Sequence, residues 1–323
     1  MLTIPVRVCG DYWLNPQEVQ ALLDSAGGKD SVALDLQFEG PSLTALGIID
    51  CVAAYCCKYQ VAATQIYIKH WPNNAETVQY NLIDANLISH FFARSKSYWT
   101  TPPAPTRQYT LGFFIGRRAI PRAVIMHYLY CAYGNSVLLS CLQNKDDQPW
   151  LKGNQSHNLE QIDMWLTREQ QPEFTAWWAT DPIASLDNHT IGDQYTPEPT
   201  TNQDLVAHYA KFDIELVAES YTRGASFFPT EKTVRPLMAA KPMLVYGPQR
   251  YLERLQLLGF ETYNTVWDES YDCLEGPERW AAMKQLIDNI MCMSWIDRSH
   301  MIDAADKIAQ RNRQHLTNII KLS

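Results

Sequence analysis

Hydrophobic and polar positions in the first hundred residues alternate between two patterns, short β-like runs and longer helical runs. The β-like runs occupy residues 3–9, 31–38 and 65–70. Helical spacing occupies residues 16–26 and about 43–58. Because strand, helix and strand in succession favour a parallel sheet covered by helices, residues 1–100 are predicted to form one α/β domain. The second helix is apolar almost all round, which predicts burial on every side.

A proline-rich segment, TPPAPTRQ, ends this alternation at residues 101–108. Its prolines lack backbone N–H donors, and they bias their neighbours towards extended conformations. We therefore predict a linker at residues 101–108. A second domain is predicted over residues 109–300, and a helix over 303–323 follows it.

The second domain repeats the alternation around a long insertion. Strands are predicted at 109–115, 136–142, 212–218, 243–246 and 261–265. Helices are predicted at 121–130, 231–240, 251–258, 277–292 and 303–322. Residues 144–202 lack a β pattern and contain two predicted helices, 159–167 and 172–179. An insertion of this length is typical of a lid or binding loop, or of a surface helix pair, and both interpretations are open.

Composition and charge narrow the classes of function. The chain has 323 residues, of which 46% are hydrophobic, and a formal net charge of −8 at pH 7. This length suits two domains, and the acidic balance disfavours nucleic acid as a partner. No apolar run approaches the roughly 18 residues that span a bilayer, and the first residues lack a signal-peptide pattern, so we expect a soluble cytoplasmic protein. The eight cysteines lie mostly in apolar segments without C-x-x-C pairs or a His-rich companion, and we expect reduced core residues.

The candidate chemistry is concentrated between residues 219 and 248. Glu219 ends a predicted strand, and Thr230 is placed as the N-cap of a helix whose first turn contains Glu231 and Lys232. The start of a helix presents unpaired N–H groups and a positive dipole end, which attract phosphate. Lys232 adds a full positive charge, and a carboxylate such as Glu219 accepts hydrogen bonds from ribose or sugar hydroxyls. The sequence therefore indicates a site for a phosphorylated, hydroxyl-rich ligand.

Two further features of this segment concern its backbone. Pro236 falls inside the predicted helix, where a proline removes one hydrogen bond at a cost of about 3 kcal/mol, so it is expected to kink or shorten that helix. The strand at 243–246 ends in Tyr246-Gly-Pro, a sharp turn. Tyr246 is therefore predicted to lie at the carboxyl edge of the sheet.

Four segments of this chain resemble the nucleotide-sugar motif of the α-1,3-fucosyltransferases, which are family 10-like glycosyltransferases of the GT-B class. They are AES at 218–220, FPTEK at 228–232, PLMAAKP at 236–242 and VYGP at 245–248. Their order and spacing resemble those of the family, and the resemblance extends over residues 205–285. The same region also resembles uncharacterised phage and bacterial proteins. The resemblance implies a GT-B-like fold, with two Rossmann-like domains and a cleft between them.

The resemblance also implies which residues bind the nucleotide sugar. In the family the motif's first Glu and its Lys contact the donor, and an arginine at the first strand–helix junction of the donor domain meets the diphosphate. The local arginine candidates are Arg117, Arg118 and Arg122, one of which is expected to serve; bidentate pairing suits arginine to phosphate. The complete candidate set for the donor is Gly116, Arg117, Arg118, Arg122, Glu219, Ser220, Thr230, Glu231, Lys232 and Tyr246.

The expected activity is sugar transfer from a nucleoside-diphosphate sugar to an acceptor hydroxyl, with inversion. No D-x-D triplet occurs in the sequence; GT-A enzymes bind a metal through that triplet, so metal-independent transfer and no cofactor are expected. A GDP-sugar is favoured by the resemblance only. Neither the acceptor nor the oligomeric state follows from the sequence.

The general base is expected from the first domain and stays unassigned. The candidates are Glu39, after the predicted strand at 31–38, His70, at the end of the strand at 65–70, and Glu76 in the loop that follows. The base is unassigned because the family's Gly-Glu-Asn-like strand end is replaced here by HWPNNAE at 70–76. Two other functions stay open. One is a glycosyltransferase acting on modified DNA bases, which the net acidity disfavours, and the other is a catalytically silent GT-B-like binding protein.

Two groups of side chains carry alternative interpretations. The aromatic residues of the insertion either pack in the core, which is favoured, or stack on acceptor sugars. They are Trp165, Phe174, Trp177 and Trp178. The acidic segment DESYD at 268–272 is interpreted as a surface loop in preference to a sugar contact.

Overall fold

A computed structural model describes most of the chain, with gaps. The described ranges are 1–9, 12–28, 31–36, 40–69, 81–83, 104–115, 120–141, 162, 165–180, 208–224 and 226–322. The chain in these ranges folds as an α/β protein with two parallel sheets. Every helix described is too short or too polar to cross a lipid bilayer.

The first sheet contains four strands that follow one another in chain order and run parallel. Its strands are β1 (Leu2–Pro5), β4 (Val32–Asp35), β5 (Ile66–Lys69) and β6 (Asn81–Ile83), arranged β1-β4-β5-β6. A short antiparallel hairpin, β2 (Val8–Cys9) with β3 (Tyr12–Trp13), follows β1. The helices of this unit are α1 (Pro16–Ala26) and α2 (Ile48–Tyr59). The predicted strand at 3–9 is therefore two strands.

Helix α2 differs from its prediction in its start and in its burial. Residues 43–47 form turns, so the helix begins at Ile48. Only one face is buried, through Ile48, Val52 and Tyr55, whereas Ala53 and Ala54 are exposed. The prediction of burial on every side was wrong, because small apolar residues such as alanine also occupy solvent-facing helical positions.

The second sheet also contains four parallel strands in the described part of the chain. They are β7 (Tyr109–Ile115), β8 (Val137–Cys141), β9 (Phe212–Ala218) and β10 (Met243–Tyr246), arranged β10-β9-β7-β8. Its helices are α3 (Arg122–Tyr133), α4 (Gln171–Thr180), α5 (Glu231–Ala239) and α6 (Tyr251–Leu257). These bounds agree with the predicted elements to within about three residues. Pro236 does not end α5, which continues to Ala239.

The order of the second sheet reverses between β7 and β9. The chain leaves β7 through α3 towards β8, whereas it leaves β9 through α5 towards β10 on the opposite side. In open α/β sheets such a reversal creates a crevice at the carboxyl ends of the two central strands, where ligands bind. Glu219 directly follows β9 and therefore stands at this position.

A buried ion pair between Arg235 and Glu215 joins α5 to β9. The guanidinium of Arg235 donates to the carboxylate of Glu215, and its Nε donates to the hydroxyl of Tyr209 at 2.6 Å. Tyr209 in turn donates to Glu215, and all three side chains are buried. Burial raises the pKa of Glu215, and the charge of Arg235 opposes that rise. The pair fixes the position of α5 on the sheet.

Two long helices pack beside this sheet and correct two predictions. They are α7 (Gly276–Cys292) and α8 (Trp295–Leu322). Helix α8 begins eight residues before the predicted start at 303, because the hydroxyl of Ser294 accepts from the amide of Asp297 at 3.1 Å and caps it. The strand predicted at 261–265 is absent, because Asn312 of α8 bonds both the amide and the carbonyl of Glu261, at 2.8 and 2.7 Å.

Most of the described cysteines lie away from the core. Cys57, Cys131, Cys273 and Cys292 are exposed, and Cys51 and Cys56 are partly exposed. The expectation of core cysteines was wrong for the four exposed residues, whereas Cys51 and Cys56 pack against the core of the first sheet. Apolar neighbours in the sequence do not fix which face of a helix a cysteine occupies.

Candidate functional site

The carboxylate of Glu219 lies under the start of α5 and is almost completely buried. One oxygen, Oε1, accepts from the amide of Thr230 at 3.0 Å, the hydroxyl of Thr233 at 2.6 Å and the hydroxyl of Tyr251 at 3.1 Å. The other, Oε2, accepts from the hydroxyl of Thr230 at 2.6 Å and the amide of Ser220 at 3.2 Å. Five donors therefore compensate its burial.

The N-terminus of α5 agrees with the predicted N-cap but differs from the prediction of unpaired backbone amides. The hydroxyl of Thr230 accepts from the amide of Lys232 at 3.3 Å, which confirms Thr230 as the N-cap. The carbonyl of Thr230 accepts from the amide of Thr233 at 3.2 Å. The expectation of unpaired N–H groups was wrong for these two amides, and the carboxylate of Glu219 is the anion next to the positive end of the helix dipole.

The ammonium group of Lys232 lies on the same edge, between β9 and α5. It donates to the hydroxyl of Ser220 at 3.2 Å, to the hydroxyl of Thr230 at 3.3 Å and to the carboxylate of Glu231 at 2.7 Å. The Lys232 side chain is only 10% exposed, and Glu231 is partly exposed. A cation is thus held at the carboxyl end of β9 by two hydroxyl groups and one partly exposed carboxylate.

The phenol of Tyr251, from α6, completes the contacts of Glu219. Burial raises the pKa of Tyr251 well above its ordinary value, and the charge of Glu219 raises it further. The phenol is therefore neutral, and its hydroxyl also lies 2.8 Å from that of Thr233. The position of the carboxylate is fixed by three elements, β9, α5 and α6.

Tyr246, at the carboxyl end of β10, is enclosed by other side chains. Its ring is fully buried, with the ring of Trp165 at 5.5 Å, that of Trp280 at 6.4 Å and the guanidinium of Arg279 at 5.4 Å from its centre. The carbonyl of Tyr246 accepts from the amide of Glu219 at 2.9 Å. Its direct contact with a donor stays a prediction.

The loop after β9 touches the segment after β4 of the first sheet. An added Cβ on Gly40 would lie 2.5 Å from the Cβ of Phe228, and one on Gly224 would lie 2.5 Å from the Cβ of Ser42. Gly224 has a φ of 67°, in the left-handed region that suits glycine. The carboxyl-side loops of the two sheets therefore meet at two glycines, each of which lies too close to a neighbouring side chain to carry a Cβ.

The remaining predicted site residues divide into two groups. Arg122 is buried in the first turn of α3, close in the chain to the carboxyl end of β7. The donor candidates Gly116, Arg117 and Arg118 and the base candidates Glu39, His70 and Glu76 lie outside the described residues.

The segment at 268–272 is divided between surface and interior. Asp268 and Ser270 are exposed, as the favoured interpretation as a surface loop predicted, whereas Tyr271 and Asp272 are buried. Asp272 is buried and accepts from the amide of Leu252 at 3.0 Å, at the start of α6, and from Arg279 at 3.1 Å. Among the aromatic residues of the insertion, Trp165 and Phe174 are buried and Trp177 is partly buried against the core, as favoured; the side chain of Trp178 lies outside the described part.

The sequence reasoning missed Thr233, Tyr251 and the Arg235–Glu215 pair, and it favoured a surface position for Asp272, which is buried. Thr233 carried a usable signal, since it follows the N-cap Thr230 by three residues and faces the same helix start. The others carried none, because their partners are distant in the chain. Comparisons with family models, with curated proteins and with solved structures found no match to this chain.

Proposed function

We propose that this protein is a glycosyltransferase that moves a sugar from a nucleoside-diphosphate sugar to an acceptor hydroxyl, with inversion and without a metal. The proposal includes a GT-B-like arrangement, in which the second sheet carries the donor and the first sheet carries the acceptor side. The motif resemblance over residues 205–285 suggests the reaction, and the geometry at the end of β9 supports the donor half.

The observation that carries the proposal is the position of Lys232. Its ammonium group stands at the carboxyl end of β9, where the strand order of the second sheet reverses. Ligands of open α/β sheets bind at this position, and a cation there stabilises the charge that develops on a departing diphosphate. In the proposed complex the diphosphate oxygens replace Glu231 as the partner of Lys232, and Ser220 donates its hydroxyl to the same group.

In this proposal Glu219 does not bind the donor, although the resemblance to the fucosyltransferases implied that it would. Its two oxygens already accept from five donors, which fills the acceptor capacity of a carboxylate, and these bonds hold α5 against β9. Glu219 is therefore a positioning residue that fixes Lys232, and the donor hydroxyls are bound by other groups.

The contact between the two sheets supports the acceptor side of the proposal. Gly40, which packs against Phe228, is the residue after Glu39. Of the three base candidates, Glu39 is the one next in sequence to a described contact with the donor-side loop. We therefore propose Glu39 as the general base that removes the proton from the acceptor hydroxyl.

Calorimetric titration with GDP, UDP, ADP and CMP, followed by measurement of sugar release from the matching donor, tests the proposal. We expect one nucleoside diphosphate to bind, and Lys232→Met to weaken it at least about tenfold, as loss of a charge-assisted hydrogen bond predicts. Lys307→Met, on the exposed face of α8, is the matched control and should bind normally.

Three outcomes are informative. Absence of binding by every nucleotide would overturn the proposal. Equal affinity of Lys232→Met and the wild type would refute the position of the diphosphate. Binding without donor hydrolysis or transfer would favour the catalytically silent binding protein.

A further inference from the structure

Three potential metal ligands of different chemical types lie together between α3 and α4. His127 and Cys131 are four residues apart on α3, so they share one helix face, and Glu173 approaches from the first turn of α4. Each residue offers one ligand atom, and these atoms all lie within 4.8 Å of one another. None of these three residues is among the hydrogen-bond partners described above for Glu219 and Lys232.

The imidazole of His127 is held in place by aromatic side chains. The ring of Trp177 lies at 4.9 Å and that of Phe174 at 5.4 Å from its centre, the latter edge-on. The Nε2 atom of His127 is buried and has no hydrogen-bond partner among the described residues. A buried ring nitrogen without a partner costs free energy, and coordination of an ion would give this nitrogen a partner.

We propose that His127, Cys131 and Glu173 form a binding site for a zinc-type divalent cation. Imidazole nitrogen, thiolate sulfur and carboxylate oxygen are the ligands that Zn²⁺ takes in proteins, whereas Mg²⁺ and Ca²⁺ prefer oxygen alone. Three protein ligands leave a fourth tetrahedral position for water. On binding, the thiol of Cys131 loses its proton to solvent and the thiolate bonds the ion.

The arrangement requires only a small adjustment to close around an ion. Metal–ligand bonds of about 2.0–2.3 Å at tetrahedral angles place ligand atoms about 3.5 Å apart. Cys131 and Glu173 are exposed, so their side chains have room to rotate towards an ion. The bound ion would join the insertion helix α4 to α3 and stabilise that contact, since a ligand that binds only the native state raises its stability.

Titration of chelator-treated protein with Co²⁺ tests the site, because a cobalt–thiolate bond produces a characteristic absorption band. We expect one Co²⁺ per chain with this band, and displacement of Co²⁺ by Zn²⁺. Cys131→Ser should abolish the band. Cys57→Ser, an equally exposed helical cysteine on α2, should leave the band unchanged and is the matched control.

Two conservative variants distinguish the three-residue site from a lone cysteine. His127→Gln and Glu173→Gln should each weaken Zn²⁺ binding at least about tenfold, measured against a chromophoric chelator. Circular dichroism checks that the variants are folded. Absence of the band in the wild type would overturn the proposal, as would a band that survives in Cys131→Ser, or Zn²⁺ affinity unchanged in both His127→Gln and Glu173→Gln.

Discussion

Thr230 donates both its backbone amide and its hydroxyl to the carboxylate of Glu219, at 3.0 and 2.6 Å. The same hydroxyl accepts from the amide of Lys232, so the N-cap of α5 and the end of β9 form one hydrogen-bonded unit. This relationship ties the position of the Lys232 ammonium group to that of a buried carboxylate.

Replacing Glu219 by Gln should lower the free energy of unfolding by about 3 kcal/mol. The amide nitrogen of Gln is a donor and faces donors, and hydrogen bonds to a charged acceptor contribute about 1.5–3 kcal/mol each. Urea unfolding measures the change. Thr230→Ser keeps the hydroxyl and should remain within about 1 kcal/mol of the wild type. A Glu219→Gln protein as stable as the wild type would refute the structural role of this carboxylate.

The buried pair of Arg235 and Glu215 should be far more sensitive than an exposed one. Arg235→Met leaves the Glu215 carboxylate buried without its cation, which costs about 3–5 kcal/mol. The matched comparison is Arg311→Ala, which removes a partner of Glu261 on the surface and should cost less than about 1 kcal/mol. Chemical denaturation of both variants measures the difference, and similar losses in the two would contradict the prediction.

Stability should depend on pH through Glu269. Burial raises the pKa of Glu269 from 4.5 to about 7, so between these values the folded state binds more protons than the unfolded state. The contribution of this group to stability therefore falls as pH rises through that window, by about 2 kcal/mol between pH 5 and pH 8.

Glu269→Gln tests this dependence, because it removes the charge and keeps an oxygen to accept from the amide of Tyr263, which lies 2.9 Å from Glu269. The variant should gain stability relative to the wild type as pH increases from 5 to 8. Denaturation at both pH values measures the gain, and a constant difference would contradict the assigned pKa.

The contact between the two sheets predicts unequal effects of two glycine substitutions. Gly224 and Gly47 both have positive φ, at 67° and 76°, but an added Cβ meets Ser42 at the first and open space at the second. Gly47→Ala should cost about 1 kcal/mol from the backbone alone. Gly224→Ala should cost about 1–3 kcal/mol more from the steric contact.

A double-mutant cycle identifies the source of the extra cost. Combining Gly224→Ala with Ser42→Gly removes the Cβ that the new methyl group meets, so the double variant should be more stable than the sum of its single changes predicts. Additive losses in thermal or urea unfolding would show that these two residues are not in contact.

Local patterns in the sequence predicted the elements of the second sheet well. The strands at 109–115, 212–218 and 243–246 have the predicted bounds, because buried parallel strands are built from largely apolar runs. Thr230 was identified as an N-cap for a similarly local reason, since its hydroxyl bonds an amide two residues away. Composition and short-range capping chemistry were sufficient for these features.

Only the tertiary structure determined the hydrogen-bond and ion-pair partners of the polar side chains. Glu219 accepts hydrogen bonds from Thr233 and Tyr251. Asn312 bonds the backbone of Glu261, where a strand was predicted. Asp272 forms a buried pair with Arg279. The strand order of each sheet likewise became known only from the fold. These relationships join residues that are separated along the chain, so no local pattern encodes them. The sequence by itself determined most of the α/β elements and the candidate segment at 219–248. Long-range packing determined which partners the charged side chains of that segment have.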